Sequence, residues 1–175
     1  MKKNNFLSKL KKEEKLELVE SSEEVCESYS EKSTNCLKSA KLLFQNKLFE
    51  NSIGQSYYAM YNLLIALLFR IGIKSENHVG SILLLKLLFN KEDLFKLISD
   101  AKKERIDKQY YVTTEKDEVT EESAQELINK TEDFIVRMKL FIKSLDTDYV
   151  DETREKFEIL VGLKKPPKKL SPSKK

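Results

Sequence analysis

The stretch YYAMYNLLIALLF, residues 57–69, is the clearest indication of the fold. Its side chains are apolar almost all round a helix, with Asn62 as the polar exception, and this pattern is typical of a central helix that is buried on several sides. The stretch is too short to cross a bilayer, which takes about 20 residues. The helix that contains it is predicted to run over 52–70 and to end at Gly72, because glycine is favoured just after a helix.

Helical periodicity continues on both sides of this stretch. Upstream, apolar residues recur at steps of three, four and seven over 25–43, after a Ser21/Glu24 pair with the spacing of a capping box. Three further helices of the bundle are predicted over 77–89, over 94–105 with Asn90 as the residue that stops the helix before it, and over 120–145 with Thr120 as N-cap. Terminal helices are predicted over 6–19 and 148–161, and a loop over 110–119. The sequence predicts an all-α fold, an up-down bundle of four to five helices with extra terminal helices.

Charge and composition divide the chain and exclude several classes of protein. Six of the 32 Lys and Arg residues lie in 164–175, which has no acid, so the remaining chain has 26 basic against 29 acidic residues. Such a balance argues against a disordered acidic chain and against a uniformly basic nucleic-acid coat. Only four glycines and three prolines leave little turn chemistry for a many-stranded sandwich. We predict an N-terminal helix over 1–20, a bundle over 21–146, a helical extension over 147–163 and a disordered basic tail over 164–175.

The cysteines and the N-terminal residues set expectations for cofactors and for the cellular compartment. Cys26 and Cys36 have no metal-ligand spacing, so neither a metal nor another cofactor is expected. The N-terminal residues lack the apolar region of a secretory signal, which predicts a cytoplasmic protein without a membrane segment. The tail over 164–175 is interpreted as a solubilising segment, with an arm that contacts RNA phosphates as the alternative.

Four stretches occur in an order that is typical of one family. They are residues 38–49, SYYAMY at 56–61, NHVGSI at 77–82 and RIDKQY at 105–110. Together they resemble the small stand-alone branch of the HEPN superfamily, the higher-eukaryote and prokaryote nucleotide-binding helical domains, and the resemblance extends over 29–145.

The resemblance implies a helical bundle that usually forms a homodimer. Many relatives are RNA-cleaving toxins, or partners of a minimal nucleotidyltransferase in toxin–antitoxin or defence pairs. Their catalytic signature is an arginine followed a few residues later by a histidine. Here Arg105 matches the arginine, whereas the downstream position holds Tyr110. The resemblance thus implies Arg105 and Tyr110 as candidate catalytic residues of a metal-independent ribonuclease.

Side-chain chemistry favours binding over cleavage for this pair. Metal-free RNA cleavage needs a base for the 2′-hydroxyl proton and an acid for the leaving oxygen, and groups that titrate near neutrality suit both roles. Arginine stays protonated and tyrosine has an ordinary pKa of about 10. Arg105 is better suited to holding a phosphate by two parallel hydrogen bonds, and tyrosine rings can stack on a base. The candidate nucleotide- or RNA-binding residues are Arg105, Lys108, Tyr110, Tyr111 and His78.

Each candidate also has a structural interpretation. Arg105 can pair with a carboxylate of the bundle, and the tyrosines at 110–111 can cover the end of the core. The tyrosines within 57–61 are interpreted as core or dimer-interface residues because they lie on the apolar helix. His78 lies in the first turn of a helix, where the dipole disfavours its charged form, which favours a structural role. A dimer that brought His78 near Arg105 would reverse that interpretation.

Two functions from different classes fit these observations. The first is an RNA- or nucleotide-binding component of a toxin–antitoxin or defence system, with weak metal-independent ribonuclease activity. The second is a non-catalytic helical module that docks onto a nucleotidyltransferase, an antitoxin or another partner. A homodimer is expected in both cases, because residues 57–69 are apolar on more faces than one small bundle easily covers.

Overall fold

The computed structural model describes residues 2–110 and 119–165, and these residues form seven helices and one two-stranded sheet. The elements are α1 (Lys2–Lys12), β1 (Leu16–Leu18), α2 (Glu23–Gln45), α3 (Phe49–Ile71), β2 (Ile73–Ser75), α4 (His78–Leu87), α5 (Glu92–Tyr110), α6 (Glu121–Lys143) and α7 (Thr147–Val161). The predicted all-α bundle with extra terminal helices is confirmed. Residues 111–118 of the predicted loop and 166–175 of the predicted tail lie outside the described residues.

Helix α3 is the centre of the bundle. It packs along α2 and also contacts α5, α6 and α7, so most of its side chains are buried within one chain. Residues from α1, β1 and α7, such as Leu7, Leu16 and Phe157, belong to the same core and are fully buried. One chain therefore covers most of the apolar surface of α3, while Tyr58, Tyr61 and Phe69 stay partly exposed. The homodimer stays a prediction.

Side-chain caps set the beginnings of the helices. Asn77 caps α4 through a 2.9 Å bond from the Gly80 N–H, and Thr120 caps α6 as predicted. The cap of α2 is Ser22 instead of Ser21, because the Ser22 oxygen accepts the Val25 N–H at 3.2 Å from an extended backbone. Among the described residues, none of the helices combines the length and the apolar character that a membrane span requires.

The predicted helix over 6–19 is wrong beyond Lys12. The chain turns at Glu14, which has a φ of +57°, and then forms β1. Strand β1 pairs antiparallel with β2, with Glu17 opposite Lys74. Leu16 is completely buried in this strand, while Glu17 and Leu18 are half-buried. A similar small correction applies to Tyr110, which ends α5 instead of starting the loop.

Arg154 of α7 joins the sheet to the end of the central helix. Its Nη1 donates to the carbonyl oxygens of Val19 at 2.9 Å, Ile71 at 2.8 Å and Gly72 at 3.2 Å. Two of these carbonyls lie at the C-terminal end of α3, where backbone oxygens have no partner within the helix. Gly72 itself has a φ of +79°, the left-handed conformation that favours glycine. One guanidinium thus anchors three segments at this end of the bundle.

The crowding at Gly72 leads to a stability prediction. A Cβ on Gly72 would overlap Arg154 Nη1 and would lie 2.5 Å from the Val19 oxygen. Gly162 has a similar φ of +84°, but its Cβ would meet Ser8 Oγ at an ordinary 3.8 Å. Left-handed strain costs about 1–2 kcal/mol in both variants. We expect Gly72→Ala to lose a further 1–3 kcal/mol, roughly, of unfolding free energy through overpacking.

Urea denaturation of Gly72→Ala and Gly162→Ala measures this difference. Gly162→Ala is the matched control for backbone strain alone. Equal losses in the two variants would show that Arg154 does not restrict the space at Gly72.

Candidate nucleic-acid site

Side chains from three helices meet beside the first half of α3. The Tyr57 hydroxyl lies 2.6 Å from His78 Nδ1, at the start of α4. The Arg105 Cζ of α5 lies 4.7 Å from the centre of the Tyr58 ring and 5.4 Å from that of Tyr57. We call Arg105, His78, Tyr57, Tyr58 and Tyr61 the Arg–His cluster. Arg105 and His78 are thus brought to one place within a single chain.

Local structure holds the His78 ring in place. Asn77 caps α4, so His78 begins the helix with its ring directed at α3. The ring stacks on Tyr61 with centroids 3.8 Å apart and planes 9° from parallel. Tyr61 is positioned in turn by Ser81, whose Oγ lies 3.4 Å from the Tyr61 hydroxyl and 2.9 Å from the Asn77 carbonyl oxygen. Stacking and hydrogen bonding therefore fix the orientation of the imidazole.

Tyr57 is the buried member of the cluster. Burial raises its pKa well above the ordinary value, with a smaller contribution from Tyr61, although the Arg105 charge opposes the shift. Its hydroxyl therefore keeps its proton at neutral pH. It can donate to His78 Nδ1 or accept from it, depending on the imidazole tautomer. When Nδ1 carries the hydrogen, the Nε2 lone pair is available to take a proton.

Arg105 is half-buried and lies against aromatic rings. Its Nε is buried without a hydrogen-bond partner among the described residues. Among the side chains that the structure describes, those of residues 5–106 and 119–165, no ion pair joins Arg105 to a carboxylate, so the carboxylate partner expected in the structural interpretation is not found there. Cation–π contact with Tyr58 holds the guanidinium without using its hydrogen-bond donors. Such a group can bind an anion.

His78 is held in its neutral form. Burial is the largest cause that lowers its pKa below the ordinary value, and the charges of Arg105 and Lys102 add to it. Both effects disfavour the imidazolium. A neutral imidazole beside a fixed cation is a suitable proton acceptor next to a bound phosphate.

The other predicted binding residues lie near the end of α5. Lys108 and Tyr110 belong to its last turn, and their side chains fall outside the described part of the structure. Tyr111 lies outside the described residues altogether. Within the described chain, no group of three or more His, Cys, Asp or Glu side chains could hold a metal, and Cys26 and Cys36 are free thiols.

Comparison with known proteins matches the HEPN domain family over residues 26–141. The chain belongs to the HEPN domain family. A curated relative named "Putative toxin MJ0605", from Methanocaldococcus jannaschii, is 32% identical over 116 residues, which is 62% of this chain and 82% of the relative. No solved structure gave a significant match.

Sequence patterns did not identify Tyr57, Tyr58 and Tyr61 of this HEPN domain as site residues. Tyr57 is fully buried, which confirms its interpretation as core, and yet it also contacts both His78 and Arg105. Tyr58 and Tyr61 are half-buried and support the same two side chains. Tyr61 lies four residues after Tyr57 and three after Tyr58, which places the three rings near one another at the start of the apolar run, and that is the available sequence signal. The histidine lies upstream of Arg105 in the chain, so a search downstream could not find it.

The lowered pKa of His78 predicts a pH dependence of stability. His78 is the only histidine of the chain. Its pKa is lower in the folded HEPN domain than the unfolded value of about 6.5, so protonation favours unfolding. The stabilisation is complete above that pH and is lost as the pH falls towards the folded pKa. We expect the unfolding free energy to decrease from about pH 7.5 to about pH 5.5, and His78→Gln to flatten this decrease.

Urea denaturation at several pH values measures the slope. Lys103→Gln, an exposed change on α5, is the control and should keep the slope of the unmodified protein. A slope that is the same in His78→Gln would contradict the assignment.

Proposed function

We propose that this HEPN protein binds single-stranded RNA at the Arg–His cluster and cleaves it without a metal, as the toxin of a toxin–antitoxin or defence system. The convergence of Arg105 and His78 on Tyr57 within one chain carries this proposal. His78 is thus the histidine beside Arg105 that the Arg105–Tyr110 segment itself lacks.

Arg105 binds the phosphate. Its Nε has no hydrogen-bond partner among the described residues, and a guanidinium can form two parallel hydrogen bonds to phosphate oxygens. The ring of Tyr58, 4.7 Å from Cζ, limits its motion and so reduces the entropy lost on binding. A single strand fits this open cluster, because unpaired bases can turn towards the neighbouring aromatic rings.

His78 provides the base. The neutral imidazole takes the proton of the ribose 2′-hydroxyl, and the 2′-oxygen attacks the adjacent phosphorus. The bond from phosphorus to the 5′-oxygen breaks, which leaves a 2′,3′-cyclic phosphate. The departing 5′-oxygen receives a proton from solvent or from Tyr110, the candidate catalytic residue of the sequence. The phosphate anion offsets the Arg105 charge and so favours the imidazolium that forms.

The relative supports the biological setting. A relative named as a toxin, matched over 82% of its length, favours a toxin for this chain as well. A toxin needs a neutralising partner, and the family resemblance suggests an antitoxin of the nucleotidyltransferase class. The homodimer belongs to the same proposal.

Cleavage of a labelled single-stranded oligoribonucleotide in EDTA tests the function. We expect the purified protein to produce cyclic-phosphate ends, and His78→Gln to reduce the rate by about 100-fold or more, because general-base catalysis is lost. Arg105→Ala should weaken RNA binding, and Arg105→Lys should not restore it, since an ammonium cannot form the bidentate contact. Tyr110→Phe tests the proposed acid.

Arg137→Ala is the matched control. Arg137 is a half-buried arginine of α6 that pairs with Asp133 at 3.0 Å and with Asp93, away from the cluster, and its loss should leave cleavage unchanged. Cleavage that survives in both His78→Gln and Arg105→Ala would overturn the proposed mechanism.

A non-catalytic docking module is the second candidate. Val136 and Leu140 are 58% and 64% exposed and lie one turn apart on α6, which presents apolar surface to solvent. Absence of cleavage by the unmodified protein, together with stable binding to a co-produced nucleotidyltransferase that Leu140→Asp abolishes, would favour this module over the ribonuclease.

A further inference from the structure

A concave surface lies directly beside the Arg–His cluster. We call it the aromatic trough and define it by Tyr29, Lys32, Tyr58, Tyr61, Asn62 and Phe69. It encloses about 440 Å³. Tyr29 of α2 stacks on Phe69 of α3 with centroids 5.6 Å apart and planes 12° from parallel. The trough therefore presents partly exposed aromatic surface from two helices that the bundle holds rigidly.

The polar groups of the trough suit a neutral, planar heterocycle. The half-buried Asn62 amide makes one long contact, from Nδ2 to Cys36 Sγ at 3.5 Å, so it has further donor and acceptor capacity. Lys74 at the edge is paired with Glu76 at 2.8 Å, and this carboxylate disfavours a phosphate inside the trough. Stacking rings with an amide at the edge are the features by which proteins bind an unpaired nucleobase.

The positive charge of Lys32 at the edge of the trough suits a phosphate of the backbone that carries the base. Lys32 lies over the Tyr29 ring, with Nζ 4.6 Å from its centre. It is exposed and makes no ion pair with any residue in the described ranges. An ammonium in this position can approach a phosphate at the mouth of the trough while a base lies inside.

Two side chains belong to both surfaces. Tyr58 lies under Arg105, and Tyr61 stacks on His78, and both also line the trough. A ligand that places a phosphate at Arg105 has its neighbouring sugar and base within reach of the trough. We infer that the aromatic trough is a nucleobase subsite, which holds the base next to the phosphate gripped by Arg105. This inference rests on the proposed binding of single-stranded RNA.

Comparing an oligonucleotide with its abasic equivalent isolates the contribution of the bases. The probes are a fluorescein-labelled 2′-O-methyl hexanucleotide, which cannot be cleaved, and the same backbone with every base removed. Fluorescence anisotropy gives the two affinities and their ratio. We expect the unmodified protein to bind the intact probe about tenfold more tightly or better, as stacking on aromatic side chains produces.

Variants in the trough should reduce this ratio. Tyr29→Leu removes the stacking ring and Asn62→Leu removes the amide, and we expect each to bring the ratio down about fivefold or more by weakening only the intact probe. Tyr149→Leu, a half-buried tyrosine of α7 against Phe141, is the matched control and should leave the ratio unchanged. Circular dichroism confirms that each variant folds.

The outcomes separate the two proposals. Arg105→Ala should weaken both probes alike and preserve the ratio, because it acts on the phosphate. A ratio that stays at its original value in Tyr29→Leu and Asn62→Leu overturns the nucleobase subsite, while loss of affinity in Arg105→Ala still supports the RNA site. Unchanged affinity in Arg105→Ala overturns the phosphate site, and failure of the unmodified protein to bind either probe overturns both.

Discussion

The buried Tyr57 side chain makes the two contacts on which the site depends, one with His78 and one with Arg105. Helix α3 is covered by its neighbours, so Tyr57 has no freedom to leave its position. Its hydroxyl meets His78 and its ring lies under Arg105, which links the start of α4 to the second half of α5. The packing of Tyr57 in the core therefore fixes the contacts of two half-buried side chains, His78 and Arg105.

Electrostatics gives this geometry its chemical character. Burial lowers the pKa of His78 below its ordinary value, and the nearby charge of Arg105 acts in the same direction, so the imidazole is neutral. Within the part of the chain that the structure describes, no carboxylate neutralises Arg105, so positive charge stays concentrated beside a proton acceptor. In the proposed function, a phosphate bound at Arg105 would offset this charge and so favour the imidazolium that forms when His78 takes a proton.

Local patterns were sufficient for the helices and insufficient for the site. The apolar run at 57–69 and Gly72 predicted α3 and its end, because helix periodicity and a left-handed glycine are local properties. The pairing of β1 with β2 was missed, since strands of three residues carry almost no periodic signal. The meeting of Tyr57, His78 and Arg105 depends on how α3, α4 and α5 pack, which no spacing along the chain reveals.

The proposed function places an RNA phosphate between Arg105 and His78. Because His78 is the only histidine, its imidazole nitrogens give a single set of signals in a long-range ¹H–¹⁵N NMR spectrum. We predict that titration with an uncleavable 2′-O-methyl oligonucleotide shifts these signals and raises the pKa of His78, and that Arg105→Ala abolishes both effects. Imidazole signals that stay in place while the oligonucleotide is fully bound would contradict the account.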